Sequence, residues 1–118
     1  MCLTRLDKKT YKCRVGYKIF DESIIGEKCF YSPYYPKYLM KIGRTYIDRK
    51  NNFIWFDPKV RYETGFHFYL DKETALNWCY HPHQVVIKIK VKKVVATGYQ
   101  GKLRVGVAKE ITLLEVVK

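Results

Sequence analysis

The sequence predicts an α+β domain in which a mostly antiparallel sheet of six or seven strands carries one main helix at about residues 71–80. Three observations point there. Most apolar stretches alternate with a period of two, only one window has a helix cap followed by helical spacing, and the chain is 118 residues long with 47% hydrophobic residues. A chain of that size can bury roughly two thirds of its unfolded surface, enough for a single domain spanning residues 1–118.

The first dozen residues are polar and read as irregular. From Arg14 to Phe20, Val15, Tyr17 and Ile19 alternate with Gly16, Lys18 and Phe20, which predicts the first strand. In the run from Lys28 to Tyr38, Pro33 and Pro36 exclude a helix or a central strand, leaving a short strand and an ordered aromatic loop. Leu39 to Asp48 and Asn52 to Phe56 alternate again around the turn-forming Asp48-Arg49-Lys50-Asn51-Asn52, which predicts a hairpin. Gly65 to Leu70 reads as a strand. Asp71 then caps a helix with Glu73 near its positive end, and Ala75, Leu76 and Cys79 form its buried stripe. His81-Pro82-His83 ends it. Beyond lie strands at Val85 to Val95, Leu103 to Ala108 and Ile111 to Val117, with Gly98-Tyr99-Gln100-Gly101 as a loop.

Composition narrows the function. The 23 Lys and Arg outnumber the 11 Asp and Glu, giving a net charge of +12. Such an excess attracts phosphates. Tyrosine is abundant as well, 11 residues beside 6 Phe and 2 Trp, and its ring can stack while its hydroxyl hydrogen-bonds. Strands select aromatic residues in any case, so this richness also fits a β core. No run is apolar enough for a spanning helix or a signal peptide, so the expectation is a cytoplasmic protein away from membranes. Cys2, Cys13, Cys29 and Cys79 have no CxxC spacing, which predicts reduced thiols and no zinc site.

In Val86 to Lys92, Ile87, Ile89 and Val91 face one way and Lys88, Lys90 and Lys92 the other. That row suits a phosphate ligand, and it equally suits a solvated face or a protected edge strand. Cys79, His81 and His83 lie within five residues but lack a further ligand pair, and a loop ending the helix accounts for them. There is no GxSxG, GxxxxGK or GxGxxG, no HxE with PCxxC, and no carboxylate cluster beyond Asp21-Glu22. The sequence therefore gives no catalytic residue and implies no cofactor.

Met1-Cys2-Leu3, Tyr31-Ser32-Pro33-Tyr34, Gly65-Phe66-His67-Phe68 before the Ala75 helix, and Gly106-Val107-Ala108-Lys109-Glu110-Ile111 resemble small uncharacterised proteins of bacteriophages and large DNA viruses. That resemblance implies an accessory protein acting inside a host cell. The order strand, helix, strand, loop and two closing strands from Gly65 onward is similar to the second half of ADP-ribosyltransferase folds. It would imply an early-strand His or Arg and a late-strand Glu. Here Tyr17 and Lys18 stand at the first place and Lys102-Leu103-Arg104 at the second, which disfavours transfer chemistry and leaves a nucleotide-sized cleft.

The expectation is a non-catalytic binder of a nucleotide, for example a defence signalling nucleotide, or of nucleic acid. A degenerate transferase and a basic inhibitor docking on an acidic host protein are the alternatives. The candidate ligand-binding residues are Lys18, Tyr31, Ser32, Tyr34, His67, Lys88, Lys90 and Arg104. If residues 85–95 and 103–108 pair as a hairpin, Lys88 or Lys90 and Arg104 are expected to share one phosphate, with the planar group against Tyr31, Tyr34 or His67.

Overall fold

A long C-terminal hairpin organises the chain. The computed structural model describes all residues except 1–2, 4, 8–11, 13, 23–28, 33–34, 50–52, 58–59, 80 and 118. Along it run β1 (Arg5–Leu6), β2 (Val15–Glu22), β3 (Cys29–Ser32), β4 (Tyr35–Lys41), β5 (Thr45–Ile47), β6 (Phe53–Asp57), β7 (Val60–Glu63) and β8 (Phe66–Tyr69). Helix α1 (Lys72–Trp78), β9 (Gln84–Gln100) and β10 (Leu103–Val116) follow. The fold is α+β with an antiparallel sheet and one helix, as expected. Further short strands, β1 and β7 among them, add to the expected set.

Strands β9 and β10 are rich in Val and Ile and pair from Leu103↔Gln100 to Val116↔Ile87. A tight turn at Gly101 and Lys102 joins them, with Gly101 at φ 61°. Only glycine adopts that conformation without strain. Gly98 lies inside β9 instead of in a loop, because the pairing continues up to this turn. A bulge interrupts the ladder where Lys93 takes φ 55° and the register slips between Val107 and Ala108. Val94 thereby returns to the side occupied by Val91, while Ala96 faces the other.

The remaining strands dock on this hairpin. The main sheet has the order β1-β9-β10-β8-β2-β3-β4, with β5 on β10. Because β2 also pairs with β9 (Val15↔Lys90 to Asp21↔Gln84), β2, β9, β10 and β8 close into a ring. The seam is a single register pair between β2 and β8, Tyr17↔Tyr69. One side holds a core of Phe20, Phe30, Met40, Phe68, Ile87, Ile89, Ile111 and Leu113. The Phe68 ring lies against Gly16 and Gly106, where a Cβ at either position would strike it. The other side is covered by α1 and β7 through Ala75, Cys79 and Tyr62, with Leu3 beside them.

Two expectations are corrected. Helix α1 ends at Trp78, with Asp71 at its N-cap in an extended conformation and no side-chain cap bond. The hairpin expected between Leu39 and Phe56 does not form. The first segment breaks at Gly43, whose φ is 85°; β5 then joins β10, while β6 pairs with β7. The turn-rich residues between suit any reversal and do not say which strand comes next to which. No helix among the described residues is long and apolar enough to cross a membrane.

Candidate functional site

The long hairpin separates residues that were expected to meet. Arg104 sits just past the turn and therefore pairs with Tyr99, whereas Lys88 lies far along β9, opposite Glu115 and Tyr17. The interval from Lys88 to Tyr99 spans about 35 Å of extended chain. Lys88 or Lys90 and Arg104 thus cannot share one phosphate. Lys90 lies between Val15 and Thr112, and Lys92 approaches Glu110 at 3.9 Å. Glu110 and Glu115 thus alternate with the row across the ladder and offset two of its three charges. Tyr31 is on β3 opposite Asp21 and Leu39, Ser32 is opposite Tyr35, and Tyr34 lies outside the described residues.

Lys18 and His67 do come together, but inside the protein. Lys18 is 3% exposed, and its Nζ donates to the His67 carbonyl at 2.7 Å, across the seam between β2 and β8. Its ammonium also lies 5.9 Å from the Phe20 ring centroid. Burial pushes it down from 10.5 to about 8, since losing water disfavours the charged form. The His67 ring turns to the other side, where Tyr62 Oη lies 3.3 Å from its Nε2 and edge-on to the ring. The Leu3 N–H donates to the same hydroxyl at 3.1 Å. With that bond made by the Leu3 amide, the tyrosine proton is placed to donate to a neutral imidazole. Burial, helped by the Lys18 charge, holds His67 at about 4. A second buried lysine, Lys109, has the carboxylate it needs in Glu63 at 3.5 Å.

A different cluster forms at the turn end of the hairpin. β1 pairs with β9 at Arg5↔Tyr99 and Leu6↔Gly98, which lays Arg5 beside Tyr99 and the Tyr99 partner Arg104. The Arg5 Cζ is 4.3 Å and the Arg104 Cζ 4.6 Å from the Tyr99 ring centroid. Both are within the range of cation–π attraction, and the ring holds the two guanidinium carbons within about 9 Å of each other. Asp7 accepts from Arg104 Nη1 with both oxygens at 3.0 Å and from Thr97 Oγ1 at 2.7 Å. The Arg104 bond holds the Asp7 carboxyl below its usual range. Asp7 thus pairs with Arg104, while Arg5 meets the ring without an ion pair among the described residues. Of this cluster only Arg104 was visible as a candidate, because Arg5 and Asp7 lie in a stretch with no periodicity.

The arrangement can attract an oxyanion and lay a flat cation against it. No group of three His, Cys, Asp or Glu side chains among the described residues could hold a metal ion. Cys79 is buried, and His81 and His83 are exposed. No protein family, curated protein or solved structure matches this chain.

Proposed function

We propose that this protein binds a phosphate-bearing ligand without catalysing its conversion. The observation that supports this reading is the Arg5–Tyr99–Arg104 stack, in which two guanidinium groups lie on one ring and only Arg104 is paired with a carboxylate, Asp7. The net charge of +12 adds a long-range attraction for anions. A nucleotide fits better than a nucleic-acid strand. The cations are confined to the span of one or two phosphates, while the lysine row a strand would follow is interleaved with Glu110 and Glu115. The resemblance to viral accessory proteins makes a defence signalling nucleotide one such ligand, met in the host cytoplasm.

The test is a thermal-shift screen of mono-, di- and cyclic nucleotides and short oligonucleotides, followed by titration calorimetry at two salt concentrations. Nucleotides should stabilise the protein with a shallow salt slope, because few counterions are released. Arg104→Ala should weaken binding by about 1–3 kcal/mol, as loss of a charged hydrogen-bond partner does. Equal losses from Arg104→Ala and from the remote, exposed Lys72→Ala would mean that only diffuse charge attracts the ligand.

A further inference from the structure

Half of the Arg5–Tyr99–Arg104 cluster hangs on a strand of two residues. β1 contributes two register pairs to the sheet, and so short a ladder belongs to the least stable part of a fold. Leu3 is buried in the core with Leu6 packed against the same cluster, and polar bonds fix the two ends of the segment. The Leu3 N–H binds Tyr62 Oη, the Asp7 N–H donates to the Thr97 carbonyl at 3.0 Å, and the Asp7 carboxylate takes protons from Thr97 and Arg104. The segment runs so close to β9 that a Cβ on Gly98 would collide with the Arg5 carbonyl oxygen.

Docking the segment also carries an electrostatic cost. It brings the exposed Arg5 up to a ring that already bears Arg104, and Asp7 is engaged by Arg104 and Thr97. Arg5 itself forms no ion pair among the described residues. A compact dianion between the two guanidinium groups would turn this repulsion into attraction, since each arginine offers a planar fork of donors.

We infer that Leu3 and the run Arg5-Leu6-Asp7 form a clasp that carries Arg5 into the phosphate site, so that clasp docking and the binding of a compact phosphate group are one equilibrium. The inference rests on the phosphate-binding reading above and adds its regulation. A ligand that binds only the docked state must stabilise docking by the same factor that docking raises affinity. Whatever loosens the segment, including loss of the Tyr62 hydroxyl some distance from the cations, then weakens the ligand's hold.

The test uses inorganic pyrophosphate as the probe, with sodium chloride at matched ionic strength as the control. Amide exchange at Leu3 and Asp7 reports on the clasp. Pyrophosphate at ten times its dissociation constant should slow both amides about tenfold, as mass action on a closed state requires. Arg5→Ala, an exposed substitution, should abolish the slowing and weaken pyrophosphate binding at least tenfold. Gly98→Val should do the same while leaving every cationic side chain in place. Circular dichroism shows whether that variant folds, and if it does not, the exchange data and Arg5→Ala decide. Binding by the wild type with unchanged exchange at Leu3 and Asp7 would overturn the clasp and leave the site standing, as would full affinity in Arg5→Ala or in a folded Gly98→Val. No pyrophosphate binding by the wild type would overturn the site and the clasp together.

Discussion

Lys18 and Lys88 are near neighbours in the sheet, Lys18 opposite Ile87 and Lys88 opposite Tyr17, yet they occupy opposite environments. Lys18 points to the side of Phe20 and Phe68, where ring closure removes it from water and leaves it a carbonyl as partner. Lys88, Lys90 and Lys92 point to a side that is open at this end and faces carboxylates across the ladder. Lys90 and Lys92, exposed, and Lys88, half-buried, thus cost the fold little, and one buried lysine costs it much. Spacing tells which residues share a face. Whether that face is wet depends on how the sheet curls.

The contrast can be broken most sharply by alkali. Above pH 10.5 Lys18 is neutral whether the chain is folded or not, and its contribution to stability is at its maximum. As pH falls from 10.5 toward 8, the unfolded chain takes up a proton that the folded chain resists, and stability drops by about 3 kcal/mol before levelling off. Urea unfolding at pH 7.5, 9 and 10.5 should show this rise toward alkali. Lys18→Met should remove it, gaining stability at pH 7.5 less about 1 kcal/mol for the lost bond to the His67 carbonyl. Parallel pH curves for the two proteins would mean that Lys18 is hydrated.

His67 adds an acid limb of the same origin. Its stabilisation is complete above 6.5 and is lost as pH falls through 6.5 to about 4, because the unfolded imidazole protonates first. About 2–3 kcal/mol should disappear over that window, and His67→Gln should flatten the curve. A wild type equally stable at pH 6.5 and 4.5 would contradict the buried, neutral ring.

Smaller effects are expected at the turn end. Asp7→Ala leaves Arg5 and Arg104 on one ring without a carboxylate and should destabilise by about 1–2 kcal/mol, more in low salt than in high. The smallest changes should follow Lys88→Ala, Lys90→Ala and Lys92→Ala, each within about 0.5 kcal/mol. A loss above that from any one would make the row part of the scaffold.

The sequence made the strand alternation, the helix after Asp71 and the pairing of the last two strands legible, because each is written in local spacing. Partner choice was not, as the fate of β5 and β6 shows. The site was read poorly for a related reason. Gly16, Lys18 and Phe20 form a face with one charge in it, which looks like solvent until Phe68 is found against Gly16. A usable clue was present in Phe66-His67-Phe68-Tyr69, which has no polar alternation and so belongs to a strand buried on both sides, as all four residues are. Arg5 offered none, since its value comes entirely from lying beside Tyr99.

The ring also dictates an order of assembly. β1, β2, β5 and β8 each pair with β9 or β10, which come later in the chain than all of them. As the chain leaves the ribosome, these four of the eight strands that precede residue 84 are synthesised before the late partners they need exist. The late hairpin can form quickly by itself, on a scale of microseconds, and the earlier strands then collapse onto it. Until that moment a nascent chain carries unpaired, aromatic-rich strand edges, the kind of surface that chaperones cover and that aggregates when they do not.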